Sequence, residues 1–131
     1  MSNSLVLSMS VSDDFLEMVM VTAFDDPHGA CWYWATPVRS SVLSGSYLTL
    51  EDDGKTWKSV WCTATDSEND TEYAVIVVDK HALMHGLRLA VQDGHDSDIV
   101  KAVQDDDAGM VDGDMADAIV QYGVFGEIVY G

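Results

Sequence analysis

A chain of 131 residues, 47% of them hydrophobic, carries 23 Asp and Glu against 6 Lys and Arg, for a formal charge of -17. That length and apolar content suit one domain, residues 1–131, that buries a core without disulfide or metal staples, and they exclude the low-hydrophobicity composition of disorder. The charge repels phosphates and anionic headgroups, which argues against direct nucleic-acid or membrane binding and for a partner with a basic surface.

The start, "MSNSLVLSMSVSDD", lacks the cationic region and apolar stretch of a signal peptide, and no apolar run approaches ~18 residues. A soluble intracellular protein is the expectation. In "SDDFLEMVMVTAFDD", Ser12 is the N-cap, Asp13 and Asp14 suit the positive end of a helix dipole, and Phe15, Met18 and Val19 recur at helical spacing. A helix over about 13–24 follows, ended by "DDPHG".

"ACWYWATPV" is rich in aromatics that favour strands. A hairpin is expected between Ser46 and Thr65, where Tyr47, Thr49 and Glu51 alternate with Leu48 and Leu50, Asp53-Gly54 turns the chain, and Trp57, Ser59 and Trp61 alternate with Lys58, Val60 and Cys62. "DSEND" is a polar connection, and "TEYAVIVVD" is a third strand, apolar enough from Tyr73 to Val78 to sit centrally in the sheet.

Asp79 then caps "KHALMHGLRLAVQDG", with Leu83, Leu87 and Ala90 on one face and Gly94 closing the helix. "SDIVKAVQDDD" forms a shorter helix with Ile99 and Val103 four apart, and Asp112 or Gly113 opens a last one carrying Met115, Ala118, Ile119 and Tyr122. Gln121, Tyr122, Phe125, Ile128 and Val129 would dock that helix and a short final strand onto the sheet. The order argues for an α+β fold: a small antiparallel sheet of three to four strands with helices packed on one face.

Chemistry-bearing patterns are sparse. His81 and His85 stand four apart, with His95 or Asp96 as a distant third ligand, but Ala82 replaces the Glu of a zinc-protease helix and no further ligands converge, so no cofactor is expected. Asp112 and Asp114 alternate like the first calcium ligands of an EF-hand, yet Ala116, Asp117 and Gly123 occupy the positions that need a ligand, a glycine and a bidentate Glu. Cys31 and Cys62 lie in apolar runs, where free Cys acts as a small buried hydrophobe. The four Trp residues suit packing better than base stacking. With no phosphate loop or nucleophile elbow, the chain reads as a non-enzyme.

From Asp105 to Gly131 there are seven acidic side chains and no Lys or Arg. Ala116-Asp117 through Gln121, Phe125-Gly126-Glu127 and Tyr130-Gly131 resemble small acidic proteins of phages infecting actinobacteria and related hosts. The resemblance covers roughly the last third of the chain and carries over no functional residue. It implies a phage origin and a host-cytoplasm setting. Asp105, Asp106, Asp107, Asp112, Asp114 and Asp117, continued by Asp93, Asp96 and Asp98, are the expected partner-binding face toward a basic host protein, including one that binds nucleic acid and is met by charge mimicry.

Two other readings stand beside it. The partner, or a second copy, would be met by apolar strand edges such as "CWYW", or the acidity would serve only solubility in a salt-rich setting, since Asp outnumbers Glu 18 to 5.

Overall fold

The computed structural model describes residues 10–25, 28–37, 60–64 and 75–131. Helix α1 spans Asp13–Phe24, strands β1, β2 and β3 span Ala35–Pro37, Val60–Ala64 and Val75–Val78, and helices α2, α3 and α4 span Lys80–Gln92, Ser97–Asp105 and Gly113–Phe125. A short 3-10 turn, Ala108–Met110, joins the last two helices. The chain is an α+β protein with a small antiparallel sheet.

Each helix starts where a short polar side chain can reach back to an unpaired amide. Ser12 Oγ accepts from Phe15 N, Asp79 from Ala82 N, Asp96 from Asp98 N and Asp112 from Met115 N. The α1 boundaries and the α2 and α4 caps agree with the sequence reading. Glycines in the left-handed region, Gly94 at φ 62° and Gly126 at φ 78°, turn the chain after α2 and α4.

The sheet order is β1-β2-β3, with Ala35 opposite Ala64 and Val60 opposite Val78. Among the described residues β2 is therefore central and β3 lies at an edge, contrary to the expectation from its continuous apolar run. The reason is visible in β3 itself: Val78 is buried, whereas Val77 is 39% exposed, so only one face is covered. The Tyr47–Glu51 arm, the Asp53-Gly54 turn and Trp57 of the expected hairpin lie outside the described residues, as does "DSEND"; Val60 and Cys62 fall in β2.

"ACWYW" also departs from expectation. Cys31 to Trp34 form a turn, and only Ala35 onward is strand. Ala30 N and Cys31 N donate back to the carbonyls of Thr22 and Ala23, wrapping the chain tightly over the end of α1. Gly29 makes this possible, since a Cβ there would sit 2.6 Å from the Ala23 carbonyl oxygen and the Phe24 backbone. Tertiary bonds thus override the strand preference of the aromatics.

The core gathers Phe15, Leu16, Val19, Met20 and Phe24 of α1, Leu83, Leu87 and Ala90 of α2, and Ile119 and Val120 of α4 around the inner sheet face of Val60, Cys62 and Val78. Its closest seam is α2 against α4. A Cβ on Gly86 would overlap the Ile119 carbonyl, and one on Gly123 would overlap the Ala82 carbonyl, so the two backbones touch through reciprocal glycines. Adding a methyl must push the helices apart. Gly86→Ala is expected to destabilise by about 3 kcal/mol despite alanine's better helix propensity, and Gly123→Ala similarly. Urea denaturation checks this: a gain in stability would contradict the close seam.

Candidate functional site

The most connected polar group is the Asp117 carboxylate, on the outward side of α4. Its Oδ1 accepts from Trp34 Nε1 at 2.7 Å, from Gln121 Nε2 at 3.0 Å and from Cys31 Sγ at 3.6 Å, while Oδ2 accepts from the Tyr33 hydroxyl at 2.6 Å. The aromatic turn is placed by α1 and Gly29, and α4 presents Asp117 and Gln121 one turn apart on the same face. No Lys or Arg is paired with this anion among the described residues. Four neutral donors hold it.

Gln121 is 1% exposed and acts as a surrogate peptide group. Its Oε1 accepts from both Val129 N and Tyr130 N at 2.8 Å, and its Nε2 also donates to the Tyr130 carbonyl at 3.1 Å. The Tyr130 ring stacks on Trp34 with centroids 5.4 Å apart and planes 4° from parallel. Residues 126–131 are thereby held without a strand, and Ile128 and Val129 are 40% and 52% exposed. The expected final strand does not form because one side chain supplies the pairing a neighbouring strand would have given.

Between Tyr33, this tail and α4 lies an open groove of about 450 Å³, lined by Tyr33, His95, Asp114, Asp117, Ile128 and Tyr130 among others. A second, about 550 Å³, runs along α1 past Phe15, Met18, Val21, Asp14, Glu17 and Asp106.

The nine aspartates expected to form a binding face separate into different environments. Asp93, Asp98, Asp105, Asp106, Asp107, Asp112 and Asp114 are exposed, and Asp96 and Asp117 half-buried. Several also hold the fold. Asp96 and Asp112 cap helices, Asp107 caps the 3-10 turn, and Asp106 Oδ1 accepts from Ser12 N at 3.0 Å and Ser12 Oγ at 3.2 Å, tying α1 to the end of α3. The Tyr122 hydroxyl is held above its usual range first by burial and then by the Asp93 carboxylate. Asp98, Asp105 and Asp114 make no side-chain hydrogen bond or ion pair among the described residues.

The other chemistry-bearing residues do not converge. His81 and His85 are both exposed on α2, and among the described residues no three His, Cys, Asp or Glu side chains are grouped to hold a metal. Trp34 is 1% exposed, Trp32 is half-buried with its Nε1 donating to the Asp25 carbonyl, and Tyr33 is the exposed member of "CWYW". Among the described residues, no helix is long and apolar enough to cross a membrane.

Sequence named Gln121 only as part of an apolar docking face and Tyr33 only within the "CWYW" edge, and it did not indicate the Gly86–Gly123 seam. Gln121 carried a usable signal, a carboxamide inside the apolar stripe of Ala118, Ile119 and Tyr122. Comparison with protein-family models, curated proteins and solved structures finds no match to the chain.

Cys31 and Cys62 are free and buried. Desolvation, followed by the Asp117 charge, pushes the Cys31 thiol far above its ordinary value, and desolvation pushes that of Cys62 from 9.0 up to about 11. A folded-state value above the unfolded one gives stability that is complete below about pH 9 and is lost as pH rises through the folded value. Neither thiol should react with a disulfide reagent at pH 8 faster than the protein unfolds, and stability should fall from pH 9 toward 11. Labelling kinetics and alkaline melts check both.

Removing the hub carboxylate strands three buried or half-buried donors. Asp117→Ala is expected to cost about 3 kcal/mol, and Asp117→Asn roughly half as much because an acceptor oxygen remains. Chemical denaturation with near-ultraviolet circular dichroism of Trp34 checks this, and equal losses for the two variants would contradict the acceptor role.

Proposed function

We propose that this chain acts without catalysis, binding a basic protein surface through its exposed aspartates, and that its target is a nucleic-acid-binding protein of a phage host whose cationic face the aspartates occupy. The phage setting rests on the C-terminal pattern. The binding role rests on one observation: Asp105, Asp106 and Asp107 stand consecutive and exposed at the C-terminal end of α3, with no basic residue in that last turn.

A helix C-terminus carries partial negative charge, so anions there are unfavourable and cations favourable. Asp106 also occupies the left-handed region at φ 47°, which Asp tolerates better than most residues but not without cost. If solubility alone were served, the same charge would stand more favourably elsewhere on the surface. Departures from local preference without internal compensation concentrate at functional sites. The partial structural work of Asp106 explains its own presence but not that of Asp105, which has no partner among the described residues. The nearest basic residue in sequence is Lys101, exposed on α3.

Association with a basic surface is accelerated by such a field and weakened by salt, because exposed charges are screened beyond ~8 Å at physiological ionic strength. Tagged protein should retain a nucleic-acid-binding host protein at low salt, release it at high salt, and lose it to competing DNA. Asp105→Asn is expected to reduce that retention severalfold while slightly raising the melting temperature, since it removes an anion from the negative helix end. Retention that survives high salt, or that Asp105→Asn leaves unchanged, would overturn the reading in favour of an apolar interface.

A further inference from the structure

The groove between Tyr33 and the tail joins an anion that no Lys or Arg pairs among the described residues to an exposed aromatic face. Asp117 is fixed by four neutral donors, and among the described residues no Lys or Arg pairs with it and Oδ2 accepts only from the Tyr33 hydroxyl. In a half-buried site the attraction such a charge exerts on a cation is stronger than at an open surface. Asp114, three residues earlier on the same face of α4, is exposed and makes no hydrogen bond or ion pair among the described residues. Tyr33 is 55% exposed although its hydroxyl is anchored, so its ring stands fixed in the groove wall. Opposite lie Ile128, partly exposed, and Tyr130, backed by Trp34.

Resting on the proposed binding of a basic surface, we infer that this groove is the anchor point of that interface and takes one arginine side chain of the partner. Three features of the site select the occupant. The volume of about 450 Å³ accommodates a long side chain rather than a helix or a folded segment. The two carboxylates one helical turn apart offer acceptors to a guanidinium, whose planar fork donates along several directions at once. The ring of Tyr33 offers a face on which that plane stacks, and the apolar wall of Ile128 covers the methylene stem. Lysine satisfies the charge but neither the fork nor the stacking.

The experiment uses the full chain with two probes, nona-arginine and nona-lysine peptides, titrated at equal ionic strength and read by fluorescence anisotropy. Two single-charge variants are compared, Asp114→Asn inside the groove and Asp98→Asn, exposed on α3 outside it. The expected result is that nona-arginine binds about tenfold more tightly than nona-lysine and that Asp114→Asn removes most of this preference, whereas Asp98→Asn weakens both peptides slightly and equally. Tyr33→Leu, whose fold is verified by its melting curve, should also reduce the arginine preference.

Salt-sensitive binding of both peptides with no arginine preference, or with equal effects of the two Asn variants, would overturn the groove as anchor while leaving the acidic-surface reading standing. Absence of salt-sensitive binding to either peptide would overturn both.

Discussion

The Asp117 carboxylate is the contact on which the outer half of the molecule depends. It draws Tyr33 and Trp34 from more than eighty positions away in the chain onto α4. Trp34 in turn supplies the surface on which Tyr130 stacks, and Gln121, which also reaches Asp117, holds the tail backbone. Withdrawing an anion from water is costly, and among the described residues the cost is offset by donors with fixed geometry rather than by a positive side chain. Such a network is stable only while all its members are present, and it leaves net charge at the surface.

The helices were legible because their determinants are local. Ser12, Asp79 and Asp112 each lie just before an apolar run with helical spacing, and a side chain reaching back three residues needs no information from elsewhere. The turn at Cys31–Trp34 was not legible, since its aromatics have strand preference and what overrides it is the bonding of Ala30 and Cys31 onto the end of α1, together with a carboxylate on a helix near the other end of the chain. Likewise the final segment, with Ile128 and Val129 adjacent, suggests a strand, and only the position of Gln121 shows that its backbone is already partnered. For the candidate site, sequence indicated the aspartates as a set but could not separate those with internal partners, such as Asp106, Asp112 and Asp117, from Asp98, Asp105 and Asp114.

That separation bears on why Asp so outnumbers Glu in this chain. A capping carboxylate must be short enough to fold back on its own backbone, and Asp79, Asp96, Asp107 and Asp112 all do so. Part of the acidity is therefore architectural, a consequence of starting several short helices in succession. Bulk composition overstates the charge available to a partner and, for the same reason, overstates the case for adaptation to salt. What remains after the caps are set aside is a smaller group of exposed carboxylates, of which Asp105 stands at the unfavourable C-terminal end of α3 while Asp98 and Asp114 stand in the first turns of α3 and α4.

The surrogate peptide group at Gln121 sets an unequal tolerance to sequence change across the C-terminal segment. Because the tail is recognised through the backbone amides of Val129 and Tyr130 and the carbonyl of Tyr130, the side chains of Glu127, Ile128 and Val129 can vary widely without altering how the segment is seated. Position 121 has no such latitude: a carboxylate lacks the donor, an apolar residue lacks both functions, and asparagine is one methylene too short. The chemistry of the groove's outer lip can thus be revised residue by residue while the lip itself stays where it is.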